Sequence, residues 1–235
     1  MSFIIALHIG DGLVFASDSR ITYNHTKTEK DGKKTVEQGV HFSNSSPKTF
    51  LTASNVGISY CGDSTIHNKP ITGYIERFIE GVKDKDVDVV KEQIVPYFKA
   101  LDDTLDTSFI IGGYRSEEGE NKQKLYRLNT KTEKLETIDT SNQGAVWNGE
   151  VDIMSRILTP VYSKRADGSY VEFTSYPILW QYLTLQDAVD FARYAVRTTI
   201  ETMNFQRRVK TVGGPIDILV IKPTGAIWID KRELR

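Results

Sequence analysis

The sequence predicts an α+β domain built from layers of sheet and helix. Three features indicate it: an apolar hairpin opens the chain, helical stretches gather in its middle, and a long helix followed by two strands closes it. Strands and helices thus come in separate blocks, which favours an α+β fold over alternating βαβ units. With 235 residues, of which 39% are apolar and 26% are charged, the chain can build one substantial core. We therefore expect residues 1–235 to form a single domain.

The first two strands are predicted to form a hairpin. Residues 3–7 and 13–16 are almost wholly apolar, and they flank the sequence GDG at 10–12, which is a strong tight-turn signal. Apolar runs of this kind indicate strands that are covered on both faces. Residues 22–47 are polar and charged instead, so we expect a solvent-exposed insertion there, with the Asp-Gly pair at 31–32 at the tip of a hairpin.

The middle of the chain is predicted to hold two helices between groups of strands. The helices are expected at 65–82 and 87–105, where Pro70 limits the regularity of the first and Pro96 breaks the second. A shorter helix is expected at 151–158. The strands around them are predicted at 48–52, 56–61, 107–114, 124–128 and 135–138.

The clearest helix signal begins at Thr184. Its hydroxyl can cap the helix, and Asp187 follows three residues later, as in a capping box. Apolar residues then recur at steps of three and four, which is typical of an amphipathic helix. They are Leu185, Val189, Ala192, Val196, Ile200 and Met203. Two closing strands are expected at 216–221 and 226–229.

The overall charge and the cysteine count restrict the partners and the compartment. The net charge is −1 and the pI is about 6.4, so no basic field exists to attract nucleic acid or an anionic membrane. Cys61 is the only cysteine, which excludes an intramolecular disulfide and fits a reducing compartment. The first residues lack a basic leader and a long apolar run, so we expect a cytoplasmic protein.

The familiar signatures of several enzyme classes are absent from the sequence. It contains no phosphate-binding loop GxxxxGK(S/T), no GxGxxG after a strand and no GxSxG nucleophile elbow. The four histidines, which lack the spacing of zinc ligands, are His8, His25, His41 and His67. Each histidine is predicted to have a surface or turn role. We therefore expect neither a metal nor a cofactor.

Three blocks of the sequence resemble the proteasome β-subunit family, including its bacterial relatives. The first is DGLVFASDSR at 11–20, and the second combines KTF at 48–50 with ISYCGD at 58–63. The third is GGPIDILVI at 213–221, after the long helix. The blocks follow one another in the family's order. The resemblance implies a four-layer αββα sandwich of the N-terminal-nucleophile hydrolase type, and a homo-oligomeric ring.

The spacing of these blocks indicates which residues match the family's catalytic positions. The family's threonine nucleophile lies 16 residues before its aspartate, and the same step back from Asp18 reaches Ser2. Its lysine and its oxyanion glycine are 14 residues apart, as are Lys48 and Gly62. The resemblance therefore implies an N-terminal serine peptidase or amidase that becomes active once Met1 is removed.

The implied chemistry requires a free amine at Ser2. A hydroxyl is a poor nucleophile without a base, and a residue at the start of a chain carries its own α-amine, with a reference pKa of about 7.7–8.0. By the family's mechanism, Lys48 would stay charged and lower the pKa of nearby groups, and Asp18 would orient it. The backbone N–H of Gly62 would receive the developing oxyanion.

The resemblance also implies a substrate and partners. By the same alignment, Tyr60, Phe50 and Ser46 would line the substrate pocket. The substrate would be a peptide or a protein. The sequence does not identify an unfoldase partner for the ring.

The chain departs from the family pattern around the proposed nucleophile. Val209 and Val212 stand where typical proteasome subunits have an aspartate and a serine that support the amine. Asn148 stands in the place of another supporting serine, and Ser2 replaces the usual threonine. Two alternatives therefore stay open: a catalytically silent ring or scaffold protein, and an N-terminal-nucleophile amidohydrolase that acts on a small amide.

Each candidate residue also has a plain structural explanation. Ser2 taken alone is an ordinary penultimate serine, and Lys48 suits an edge strand. Asp18 and Gly62 are common residue types at strand ends and turns. Cys61 is predicted to be buried and inert rather than a nucleophile, because no histidine is placed to activate it. The coincidence of the spacings favours the catalytic interpretation.

Overall fold

The computed structural model describes residues 2–28 and 34–232. Within these ranges the chain forms sixteen strands and four α-helices, a mixed α/β architecture. The strands before the first helix are β1 (Phe3–Ile9), β2 (Gly12–Asp18), β3 (Ile21–Thr28), β4 (Lys34–Ser43), β5 (Thr49–Leu51), β6 (Gly57–Gly62), β7 (Thr65–Ile66) and β8 (Lys69–Pro70). The later strands are β9 (Thr107–Glu117), β10 (Glu120–Asn129), β11 (Leu135–Thr137), β12 (Gly144–Gly149), β13 (Tyr162–Lys164), β14 (Tyr170–Glu172), β15 (Ile216–Lys222) and β16 (Gly225–Asp230). The helices are α1 (Thr72–Gly81), α2 (Val87–Leu101), α3 (Asp152–Leu158) and α4 (Leu185–Phe205).

The N-terminal hairpin lies in the centre of a five-stranded sheet with the order β12-β1-β2-β15-β16. Both β1 and β2 are buried along their whole length, as their apolar runs predict, and Gly10 and Asp11 connect them. All neighbouring strands in this sheet are antiparallel. Ile216 pairs with Asp18, so the closing strand β15 begins beside the end of β2. This pairing brings the start and the end of the sequence to one place.

A second five-stranded sheet has the order β11-β10-β9-β6-β5 and is also antiparallel. Thr49 lies opposite Ser59, and Gly62 lies opposite Thr107. The strand that follows Lys48 is therefore paired with the strand that ends at Gly62. The 14 positions from Lys48 to Gly62 thus contain one short antiparallel pair of strands.

Three apolar clusters hold the sheets and helices together. One cluster fills the space between the two sheets and includes Phe15, Ile110 and Leu219. A second packs α1 and α2 against the second sheet, and a third packs α3 and α4 against the first sheet. Burial of apolar side chains at roughly 25 cal/mol per Å² is the main stabilising contribution to such cores.

The helices differ from the sequence prediction at two points. Residues 65–70 form the short strands β7 and β8, so α1 begins only at Thr72. Helix α2 runs through Pro96, where a break was expected, because a buried stripe on both sides of the proline holds it against the sheet. That stripe consists of Val87, Val90, Ile94 and Phe98. Among the described residues, no helix is long and apolar enough to cross a bilayer.

The start of α4 agrees with the prediction. The hydroxyl of Thr184 accepts a hydrogen bond from the backbone N–H of Asp187, and the Asp187 carboxylate accepts one from the N–H of Thr184. This reciprocal capping box satisfies two backbone donors that the helix itself leaves free.

The polar insertion at 22–47 contains the paired strands β3 and β4. Ile21 and Ser43 pair at its base, where the Arg20 guanidinium lies 4.5 Å above the centre of the Phe42 ring. The predicted tip at 31–32 lies outside the described residues. The interpretation of the whole chain as one domain stays a prediction.

Candidate active site

The carboxylate of Asp18, at the end of β2, lies at the centre of the candidate site. Its Oδ1 accepts hydrogen bonds from the backbone N–H of Phe3 at 3.1 Å and from the ammonium of Lys48 at 2.8 Å. Its Oδ2 accepts from the backbone N–H groups of Arg20 at 3.1 Å and Gly213 at 3.0 Å. Both oxygens are therefore satisfied by donors from four separate parts of the chain.

Lys48 and Asp18 form an ion pair whose side chains are 1% and 0% exposed. The ammonium also donates to the backbone carbonyl of Arg20. Burial lowers the pKa of Lys48 from its ordinary value, and the negative charge of Asp18 opposes that shift. Removing two charges from water costs several kcal/mol per ion, so a buried pair is weak evidence for a stabilising role. The buried pair is therefore a candidate for a catalytic role.

The peptide unit between Ser2 and Phe3 is held at both of its polar atoms. The Ser2 carbonyl accepts a hydrogen bond of 2.8 Å from the N–H of Glu150, while the Phe3 N–H donates to Asp18. Ser2 itself is 4% exposed. Gly149 has a φ of +93°, and a Cβ there would lie 1.9 Å from the Ser2 carbonyl oxygen, so only glycine allows this approach.

Gly62 ends β6 with a φ of +114°, which favours glycine. A Cβ at this position would lie 2.3 Å from the Asp106 carbonyl oxygen, and the next residue, Asp63, donates its N–H to that same oxygen at 3.0 Å. The close approach of two backbones thus explains the glycine. Its proposed role as an oxyanion donor stays a prediction.

The three residues predicted to line a substrate pocket lie close together, but they are buried. The rings of Phe50 and Tyr60 are 6.3 Å apart between centroids, within the core cluster beneath α1 and α2. The hydroxyl oxygens of Ser46 and Tyr60 are both buried, and the two side chains interact with each other. Burial raises the pKa of Tyr60, so its hydroxyl stays protonated. Their role in substrate binding remains a prediction.

A polar network beside Ser2 was missed by the sequence reasoning. Thr211 donates its hydroxyl to the carboxylate of Glu150 at 2.6 Å, and Glu150 also lies 3.6 Å from the Arg208 guanidinium. Val212, where the family pattern has a serine, is fully buried in the apolar cluster beneath α4. The carboxylate near Ser2 therefore comes from another strand end. The sequence carries no local signal for it, because Glu150 and Thr211 meet only in the folded chain.

Arg20 connects the polar insertion to the glycine turn that follows α4. Its Nε donates to the side-chain oxygen of Asn44 at 2.7 Å, and another guanidinium nitrogen donates to the Lys210 carbonyl at 3.1 Å. A Cβ at Gly213 would lie 2.6 Å from Nε, so this glycine makes room for the guanidinium. Arg20 thus fixes the turn whose N–H binds Asp18.

Cys61 is buried, as predicted, and its thiol lies near Lys48. Burial raises the pKa of the Cys61 thiol to about 12, although the positive charge of Lys48 acts in the opposite direction. A protonated thiol is a poor nucleophile. In the described ranges, no group of three or more histidine, cysteine, aspartate and glutamate side chains is arranged to hold a metal ion.

Comparison with known proteins gives a structural likeness only. No protein-family model and no curated protein matches the sequence. Among solved structures, the chain is similar to a mutant of Anbu from Hyphomicrobium sp. strain MC1, with a TM-score of 0.57 and 16% identity. The match covers 94% of this chain and 82% of that one. Anbu is a proteasome-like protein, and at this identity the likeness supports a broadly proteasome-like fold.

The buried carboxylate is expected to be essential for stability. Asp18→Ala leaves the Lys48 ammonium buried without its carboxylate and frees three backbone N–H groups, so we expect the free energy of unfolding to fall by about 3–5 kcal/mol. Urea unfolding followed by circular dichroism measures it. In the control Asp190→Ala, which breaks the exposed pair with Arg193, the loss should stay below about 1 kcal/mol. Equal losses in the two variants would contradict this assignment.

The Cys61 thiol is expected to resist modification in the folded protein. A rise in pKa from 9.0 to about 12 lowers the thiolate fraction at pH 8 by roughly 1000-fold, since each pKa unit is tenfold. Labelling with Ellman's reagent at pH 8 should therefore be slower than in guanidinium chloride by about that factor. Complete labelling of the native protein within minutes would show instead that the thiol is accessible and ionised.

Proposed function

We propose that the protein is an N-terminal serine peptidase or amidase, in which Ser2 becomes the nucleophile once Met1 is removed. The observation that carries the proposal is the sharing of one oxygen: Oδ1 of Asp18 binds both the Ser2–Phe3 peptide N–H and the Lys48 ammonium. The buried ion pair is thereby placed one peptide unit from Ser2. Removal of Met1 would give Ser2 a free α-amine that can serve as the base.

In the proposed reaction, Ser2 Oγ attacks the carbonyl carbon of an amide, and its proton passes to the α-amine. The N–H of Gly62 is the candidate donor to the oxyanion. The intermediate then collapses: the C–N bond breaks, the leaving amine takes the proton from the α-ammonium, and an acyl ester remains on Ser2. Water attacks this ester with the amine again as base, which releases the acid and restores Ser2.

Lys48 has an electrostatic role in this proposal. A positive charge near the α-amine disfavours its protonation, so the amine stays a free base at a lower pH. Asp18 keeps the lysine in place and, through the Phe3 N–H, fixes the backbone that carries the nucleophile. Tyr60, Phe50 and Ser46 stay the proposed lining of the substrate pocket.

The proposal extends to the four-layer αββα sandwich and to a homo-oligomeric ring. The three apolar clusters, one between the sheets and one under each pair of helices, support the layered arrangement. Several exposed aromatic residues lie close together in the sequence between α3 and α4, and they support assembly, because exposed apolar surface often marks interfaces. They are Tyr162, Tyr170, Phe173, Tyr176 and Tyr182. Peptides or proteins would be the substrates, in the cytoplasm.

One observation favours a second candidate, a catalytically silent scaffold of the same fold. Val212 is apolar and buried where the family has a serine that supports the amine, and Ser2 is only 4% exposed. A protein that kept the fold but lost the residues that support the α-amine would show these two features. A third candidate, an amidohydrolase for small amides, differs from the first in substrate only.

The test combines the intact mass of untagged protein with hydrolysis of a panel of fluorogenic peptides and small amides. We expect a mass that lacks Met1 and peptide hydrolysis that rises with pH as the α-amine loses its proton. Ser2→Ala should reduce the rate at least about 1000-fold, while Ser2→Thr keeps a hydroxyl and retains activity.

Controls separate the candidates. Ser169→Ala, an exposed serine in the β13–β14 hairpin, should leave the rate unchanged. Cleavage of small amides with every peptide intact would select the amidohydrolase. Hydrolysis that survives in Ser2→Ala would refute the assignment of Ser2 as the nucleophile. A full-length mass with no hydrolysis of any substrate would also refute the proposal and would leave the scaffold.

A further inference from the structure

A cleft of about 670 Å³ lies at the edge of the fold, where the edge strand of each sheet ends. Its walls come from β11 and the residues after it, from β12, from the end of α3 and from the stretch before α4. The cleft also reaches His8 on β1. Ser2 and His8 are six residues apart on an extended strand, so about 20 Å separates His8 from Ser2. The cleft plays no part in the proposed hydrolysis.

His8 is a buried polar side chain in the wall of the cleft. It is 5% exposed, its Nδ1 is buried, and its polar neighbours are the backbone of Asn142 and the carboxylate of Asp139. The ring fits because Gly144 lies opposite His8 on β12: a Cβ at Gly144 would stand 3.2 Å from the ring Nε2. Burial lowers the pKa of His8, so the ring is neutral near pH 7.

The charged groups that line the cleft are negative. They are Glu136 and Asp139, and the lining contains no lysine or arginine in the described part of the chain. Glu136 is neutralised by Arg127, whose guanidinium binds it at 2.6 Å. Asp139 takes part in none of the ion pairs formed within residues 2–28 and 34–232. Hydrogen bonds from Ser141 and Asn142 lower the pKa of Asp139, so it carries a full negative charge.

The other end of the cleft is apolar and aromatic. Trp147 and Trp180 line it together with Leu158 and Ile178. Trp180 is held edge-on against Phe191, with 5.0 Å between the ring centroids. Indole faces attract cations as well as apolar groups. The cleft thus joins a negative, hydrogen-bonding end to an apolar end.

We propose that this cleft binds an organic cation, an ammonium or guanidinium group on an apolar stem. The cation lies beside the Asp139 carboxylate, and the His8 ring stands in the wall of the cleft next to it. The stem packs against Trp147 and Trp180. A free amine and an arginine or lysine side chain of a peptide share this chemistry, and the experiment distinguishes them.

The test follows the imidazole resonances of His8 by NMR, assigned by their loss in His8→Phe. Phenethylammonium is titrated against its neutral counterpart, 2-phenylethanol. We expect a saturable shift for the cation and at least tenfold weaker binding of the alcohol. Asp139→Asn should raise the dissociation constant of the cation at least fivefold. A capped leucyl-arginine dipeptide is the second probe: tighter binding than phenethylammonium indicates a peptide ligand, and weaker binding a free amine.

The matched control is Asp167→Asn. Asp167 makes the same turn as Asp139, since each carboxylate accepts hydrogen bonds from the backbone and the hydroxyl of the serine two residues later. Asp167 lies in the β13–β14 hairpin, outside the cleft, so its substitution should change the dissociation constant by less than twofold. Equal binding of the alcohol and the cation, or equal effects of the two substitutions, would overturn the proposal. So would the absence of a saturable shift with both cationic probes.

Discussion

The Asp18 carboxylate receives its hydrogen bonds from the first strand, the following turn, the Lys48 ammonium and the glycine turn after α4. A buried charge without partners would be very costly, so these four donors must be in place together. Each of them fixes a different segment of the chain. The pairing of β2 with β1 and with β15 brings the first strand and the glycine turn within reach, whereas Lys48 precedes β5 in the second sheet. Strand pairing thus brings the segments of the candidate site together, and the Asp18 carboxylate holds them in place through its hydrogen bonds.

Two glycines allow close approaches between backbone segments that carry candidate site residues. Gly149 lets the end of β12 approach the Ser2 carbonyl, and Gly62 lets the end of β6 approach the Asp106 carbonyl. A side chain at either position would push two backbones apart. Since Ser2 is held through its own peptide unit, a small displacement at Gly149 would move the proposed nucleophile relative to Lys48. Positioning of this accuracy is what proximity effects in catalysis require.

Local signals predicted the parts of this fold that local interactions determine. The tight turn at 10–12 and the capping box at Thr184 are satisfied within a few residues, and both hairpin and helix appear as expected. The start of α1 and the continuity of α2 through Pro96 were predicted wrongly, because packing against a sheet decides them. The Glu150–Thr211 contact and the cleft around His8 join residues far apart in the sequence. They became visible only once the strand order was known.

The central claim is that the buried pair activates Ser2, and covalent capture tests it most directly. A peptide β-lactone, which acylates activated hydroxyl groups, is incubated with untagged protein, and tandem mass spectrometry locates the adduct. The account predicts one acyl group on the oxygen of Ser2 in protein without Met1, and a strongly reduced yield in Lys48→Met, which keeps Ser2 but loses the charge. Absence of acylation in protein that lacks Met1, or acylation at another residue with Ser2 unmodified, would contradict it.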